Sequence, residues 1–307
     1  MHKARLTIVS VMLVFSNSIF ASETMPVAHE NTGAAPTGAF DIIIEHDMSL
    51  PTHTVYRPAE LGAIDHPILV WGEGACADAG LMFPEFLSEI ASHGVVVIAD
   101  GPPEYWNRGG ARADAADANS SEERTPRRPP NIFPDGTDLV AALDWIFDQQ
   151  RDEQSQYFDK LDTANVAAMG MSCGGLMAFG ASNDPRVTTL GVWNSGLLEE
   201  DAEIFSSLHQ PLILITGNEG DVAYPNGKRD FETIPDHVPM FYGVYPAVGH
   251  SGTYREDNGG EFGRIAVAWL KWQLFEDTSA DAKGLFAGED CALCQDDSWI
   301  IGKKNMR

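Results

Sequence analysis

The stretch NVAAMGMSCGGLMAFGAS, residues 165–182, decides how this chain is read. A short apolar run enters the pattern Gly-x-Ser-x-Gly centred on Ser172, and an apolar segment of helical character leaves it. A strand that turns this sharply into a helix leaves no room for side chains two positions either side of the turn, and Gly170 and Gly174 meet that need. Gly175 lets the start of the helix come close to the sheet. Such a turn would hold the Ser172 hydroxyl up at the carboxyl end of a strand. A glycine-rich packing turn without chemistry would show the same letters, so the surroundings must decide.

Working outward, apolar runs alternate with helical patterns for most of the chain. Strands are expected at FDIIIEHD from Phe40, THTVYRP from Thr52, HPILVWGEG from His66 and VVVIAD from Val95, with a turn at 49–51. Further strands follow at VAAMGMS, VTTLGVWNSG, PLILITGNEG and VPMFYGVYPAVGH, which is read as the last. Helices are expected over Gly80 to Gly94, from Asp135, after Ser172, and from Glu261. The continuous apolar strands suit a sheet covered on both faces. The fold class is therefore α/β, a mostly parallel central sheet flanked by helices. No internal repeat and no second domain is visible. Gly101 to Pro134 is an irregular loop with six prolines, and the tail 278–307 reads as irregular and cysteine-containing.

Residues 1–21 read as an export signal: His2, Lys3 and Arg5 open it, a mostly apolar run follows from Leu6 to Phe20, and Ala21 offers a small residue for cleavage. Residues 22–38 read as a flexible leader and 39–307 as a single domain. The mature protein is expected to be periplasmic or extracellular, with no stable membrane anchor. Net charge is −25, and removal of Lys3 and Arg5 with the signal leaves −27. That balance argues against nucleic acid and anionic lipid as partners, because both need a basic surface. Cys291-Ala-Leu-Cys294 could be half of a zinc site, but no His or Cys follows it, so no metal is expected.

A serine hydroxyl needs a base to take its proton, and in a parallel sheet that base should stand at another carboxyl end. Of nine histidines only His209, His237 and His250 follow Ser172. His209 and His237 precede strands and would sit at amino ends, whereas His250 follows the last strand between Gly249 and Gly252. The imidazole needs an orienting carboxylate, and the loop after PLILIT offers Asp221 first and Glu219 second, with Glu199 and Glu200 as distant alternatives. The oxyanion of a tetrahedral intermediate needs two N–H donors, expected from the backbone of Cys173 and of Glu73, with Gly74 the alternative to Glu73. Trp71, Met171, Tyr105 and Trp106 are candidate substrate-pocket residues.

At this point the residues resemble a known pattern. The order Ser172, Asp221, His250, the Gly-x-Ser-x-Gly turn and a glycine turn after the third strand are similar to the α/β-hydrolase superfamily, over about Phe40 to Asp277. The likeness is to compact secreted esterases near the dienelactone-hydrolase and polyester-hydrolase branches. It implies a serine carboxyl-ester hydrolase acting through an acyl-enzyme on a small or polymeric ester, with no cofactor. An acyltransferase or amidase could use the same triad, and an inactive hydrolase fold could serve binding alone. The chain departs from many lipases at Trp71-Gly72-Glu73-Gly74, where an anionic Glu73 would oppose an oxyanion unless its side chain turned away. The short stretch from Gly196 to Gln210 leaves no room for a large cap domain. Cys76 and Cys173 both flank the expected oxyanion donors, which suggests a disulfide between them and a second, local one between Cys291 and Cys294; two buried free thiols are the competing arrangement.

Overall fold

The computed structural model describes residues 24–27, 33–105 and 135–306. The stretch read as an export signal, Trp106 and most of the loop up to Pro134 lie outside the described residues. Among the described residues one ten-stranded sheet runs through the molecule. Its strands are β1 (Thr24–Pro26), β2 (Ile42–Asp47), β3 (His53–Pro58), β4 (His66–Gly72), β5 (Val96–Asp100), β6 (Leu161–Met171), β7 (Thr189–Trp193), β8 (Leu212–Thr216), β9 (Met240–Val244) and β10 (Ile300–Lys304). Their spatial order is β1-β2-β3-β5-β4-β6-β7-β8-β9-β10. The block from β5 through β4 to β9 is parallel. The flanking strands β1, β2, β3 and β10 are antiparallel to their neighbours.

Side chains alternate across a strand, so the continuous apolar runs feed two cores. On β4, Leu69 and Trp71 face one side, packing with α1 (Pro84–Ser92) and α6 (Gly260–Phe275). Ile68 and Val70 face the other, packing with α2 (Thr137–Arg151) and α3 (Cys173–Ala181). Leu87 and Ile90 of α1 and Phe262, Ile265 and Trp269 of α6 are fully buried in the first core. At roughly 1.5–3 kcal/mol for each large apolar side chain buried, these helices are held by packing more than by propensity. The mixed, mostly parallel sheet with helices on both faces agrees with the expected α/β class.

Three regions differ from expectation. Thr24–Pro26, inside the stretch read as leader, pairs with β2, and Val27 N–H donates to Ile44 O at 2.8 Å. The tail is ordered rather than irregular: α7 (Lys283–Phe286) packs on α6, and β10 adds an edge strand beyond β9. The β10 sequence IIGKK is short and ends in two lysines, a charged edge of the kind that limits further pairing, and it carries little strand signal. Besides α4 (Ala202–Ser207), a helix α5 (Tyr224–Thr233) joins β8 to β9. It opens Tyr-Pro-Asn-Gly, letters that read as a turn. No helix among the described residues is long and apolar enough to cross a membrane.

Candidate active site

β6 delivers Ser172. Met171 is paired with Trp193 of β7, and Ser172 N–H extends that ladder by donating to Trp193 O at 2.8 Å. The chain then reverses: Ser172 has φ 54° and ψ −112°, and α3 starts at the next residue. A non-glycine residue in such a region costs about 1–3 kcal/mol and persists only where its surroundings fix it. A Cβ on Gly170 would stand 2.3 Å from the Gly174 carbonyl carbon, and one on Gly174 would stand 1.8 Å from Gly72 O. Backbone therefore packs on backbone at this turn, and the two motif glycines are steric necessities. Ser195 Oγ donates to Ser172 O at 2.6 Å and holds the turn from the far side.

The loops after β8 and β9 are stitched together. Tyr245 N–H donates to Thr216 O at 2.9 Å, and Asn218 N–H donates to Val248 O at 2.8 Å. This brings Asp221 and His250 side by side. With its proton on Nδ1, His250 donates to Asp221 Oδ1 at 2.6 Å, and Nε2 accepts from Ser172 Oγ at 3.0 Å. His250 is about one-third exposed and Asp221 is buried, so the relay opens to solvent at the serine end. Glu219, Glu199 and Glu200 are exposed, while His209 and His237 precede β8 and β9.

Asp221 accepts two further bonds at Oδ2, from Asn194 Nδ2 at 2.7 Å and Gly217 N–H at 2.9 Å, and one more at Oδ1 from Ala223 N–H at 2.9 Å. Burial alone would raise its pKa, but the bonds from His250, Asn194, Ala223 and Gly217 outweigh it and hold the carboxyl below the usual aspartate value. Asp221 is thus an anion fixed in place, able to orient the imidazole and to stabilise its protonated form.

Asn194 was not foreseen. It sits at the end of β7 with φ 42°, a left-handed conformation that Asn tolerates better than most residues. Its Oδ1 accepts from the buried Tyr254 OH at 2.6 Å, which sets the amide so that Nδ2 faces Asp221. Tyr254 packs in turn on Phe83 and Phe86 with ring centres 4.7 and 5.2 Å away. The Asn-Ser-Gly after VTTLGVW was the signal available: three turn-forming residues at a carboxyl end.

Opposite Ser172, the turn Gly74–Cys76 carries Ala75 and Cys76 at φ 58° and 49°. Cys76 is disulfide-bonded to Cys173, with Cα atoms 5.2 Å apart, and Cys291 is bonded to Cys294. The alternative of buried free thiols is set aside, and no cysteine is free. Cys173 opens α3, so its N–H is one of those at a helix start without an intrahelical acceptor. Glu73 is buried, and its Oε2 accepts from Trp71 Nε1 at 3.1 Å while Oε1 has no partner among the described residues. Burial pushes its pKa well above the usual glutamate value, with the nearby Asp100 adding to the rise against the opposing Trp71 bond. The shift favours the uncharged acid over the carboxylate, which lessens the electrostatic objection to a backbone donor at this position.

Trp71 is fully buried in the first core rather than facing an open cleft. Met171 is buried near Gly74, and Tyr105 is 54% exposed. A groove of about 550 Å³ runs beside α3, lined by Leu176, Phe179, Leu197 and Ile204 among others, and none of its lining residues belongs to the Ser172–His250–Asp221 set. Among the described residues no group of three or more His, Cys, Asp or Glu is placed to share a metal ion.

No protein-family model matches the chain, and no curated protein matches it significantly in sequence.

Proposed function

We propose that the chain is an exported serine hydrolase of carboxyl esters, built on the α/β-hydrolase fold. The observation that carries this reading is the relay from Ser172 Oγ to His250 at 3.0 Å and from His250 to Asp221 at 2.6 Å. Its three members hang on loops after β6, β9 and β8. The chain order Ser, Asp, His and the strained strand-to-helix turn support the superfamily assignment. The sheet order, with its crossed β5 and β4 beside antiparallel β3, is compatible with it. Two disulfides favour an oxidising compartment.

In this mechanism Ser172 Oγ attacks the ester carbonyl carbon while His250 Nε2 takes its proton. The negative charge that develops on the carbonyl oxygen is met by the N–H groups of Cys173 and Glu73. Each such donor is worth about 10²–10³ in kcat where it has been removed from other hydrolases. His250 then protonates the departing alkoxide, leaving an acyl group on Ser172. Water, activated by the same imidazole, releases the acid. Asp221 remains ionised throughout. The experiment is turnover of p-nitrophenyl acetate, butyrate and octanoate by the mature chain beside Ser172→Ala. The hydrolase should show turnover that falls to background in the variant; equal rates in both would end the reading.

A further inference from the structure

The Cys76–Cys173 disulfide lies beside the candidate nucleophile rather than inside either apolar core. It joins the turn after β4 to the first residue of α3, immediately beside Ser172. Its two ends differ. Cys76 is exposed at the surface, whereas Cys173 is 8% exposed. Cys76 is thus the end nearer to solvent thiols, and attack there would make Cys173 Sγ, at the start of the nine-residue α3, the departing sulfur. A thiolate at a helix N-terminus is stabilised by the aligned backbone dipoles, and a stabilised thiolate is a good leaving group.

We infer that this disulfide is a thiol-operated switch for the site: reduction places an anionic sulfur beside the oxyanion donors and turns the hydrolase off without unfolding it. The inference rests on the hydrolase reading above. The chemistry balances with a small-molecule thiol as reductant. Its thiolate attacks Cys76 Sγ, a mixed disulfide forms, the Cys76–Cys173 bond breaks, and the electron pair leaves on Cys173 Sγ. A second thiolate attacks the mixed disulfide and releases Cys76 as a thiolate. The two cysteines gain two electrons, and two thiols become one small-molecule disulfide.

Two physical effects follow at the site. The Cys173 thiolate competes for the same positive end of α3 that the oxyanion needs, so it acts on the transition state more than on bound ester. In addition, Ala75 and Cys76 are non-glycine residues in left-handed conformations, which the cross-link helps to hold. Freed from it, the turn that carries the second donor can relax. The Cys291–Cys294 bond differs in its span and its place. It closes a separation of three residues in the tail, against 97 for the other, and neither of its cysteines adjoins a triad residue.

The test uses the full mature chain carrying Cys291→Ser and Cys294→Ser, so that thiol titration reads the Cys76–Cys173 pair alone. Hydrolysis of p-nitrophenyl butyrate is measured before reduction, after dithiothreitol, and after reoxidation, with thiol counts and near-ultraviolet circular dichroism at each stage. The expected result is two titrated thiols, a fall in kcat of about ten-fold or more on the scale of a lost oxyanion donor, KM within about two-fold, an unchanged dichroism spectrum, and recovery on reoxidation. The Cys76→Ala/Cys173→Ala variant carries no thiolate, so it should turn over faster than the reduced form and ignore dithiothreitol. An unchanged kcat with two titrated thiols overturns the inference. So does activity lost together with the dichroism signal, which would make the bond a fold staple. Absence of turnover and of fluorophosphonate labelling in the oxidised form instead brings down the hydrolase reading itself.

Discussion

Asp221 and Glu73 are each 1% exposed, on loops that follow parallel strands of the same sheet, and their pKa values are displaced in opposite directions. Asp221 is surrounded by donors: an imidazole, an amide and two backbone N–H groups. Glu73 has one donor, the Trp71 indole, and a nearby Asp100 that disfavours a second negative charge. Burial pushes both carboxyls toward the neutral form; four hydrogen bonds outweigh it at Asp221, whereas at Glu73 one bond does not, and Asp100 adds to the rise. One is held as an anion that can orient a base, while the other is shifted toward the neutral acid, which lessens the repulsion it would exert on negative charge nearby.

Removing the charge of Asp221 should have the largest effect. Asp221→Asn should lower kcat for p-nitrophenyl butyrate by about 10⁴-fold, as the loss of the triad carboxylate does elsewhere; a fall of less than ten-fold would place the orienting group at another carboxylate. Next comes Asn194→Ala, which strips one donor from Oδ2 and leaves Tyr254 OH without its acceptor. A hydrogen bond to a charged group is worth about 1.5–3 kcal/mol, so kcat should drop by about ten-fold or more, and the Asp221 pKa should rise. That rise is readable as a shift of the acid-unfolding profile to higher pH.

Stability against pH separates the two carboxyls by sign. The folded pKa of Asp221 is depressed below its ordinary 3.8, so its contribution is present above 3.8 and is lost as pH falls through the depressed value. Asp221→Asn should lack that part of the acid slope in thermal melts. Glu73 has a folded pKa raised above its ordinary 4.5, so the folded state holds a proton that the unfolded chain releases. Stability should therefore fall as pH rises from 4.5 toward the raised value. The smallest effect on activity belongs to Glu73→Gln, which should keep kcat within about two-fold and flatten this decline, giving a higher melting temperature than the parent at pH 8. A variant that is less stable than the parent at pH 8 would mean that the native Glu73 is ionised.

Much of this was legible along the chain because parallel sheets place their loops by rule. Ser172, Asp221 and His250 each follow an apolar strand, and the same rule set aside His209 and His237, which precede theirs. Asn194 was harder to find, because its role depends on Tyr254 and Asp221 arriving from two other loops. Trp71, a pocket candidate by its place before a glycine turn, lies on the same face of β4 as Leu69, under α1 and α6. The tail strand β10 and the helix α5 were missed for a different reason. Ile-Ile-Gly-Lys-Lys and Tyr-Pro-Asn-Gly have weak local preferences, and β9 and β8 supply the partners that order them. The cysteines were open between bonded and free because pairing needs distance, which adjacency to a motif does not supply.

The most direct measurement is the site of covalent capture. The mature chain is incubated with a fluorophosphonate, and the adduct is located by mass spectrometry of the peptides. A single adduct on Ser172, formed by the parent and by Glu73→Gln but slowed about 10³-fold or more in Asp221→Asn, is the expected result. Labelling at another serine, or none in a chain that is folded and oxidised, would contradict Ser172 as the nucleophile.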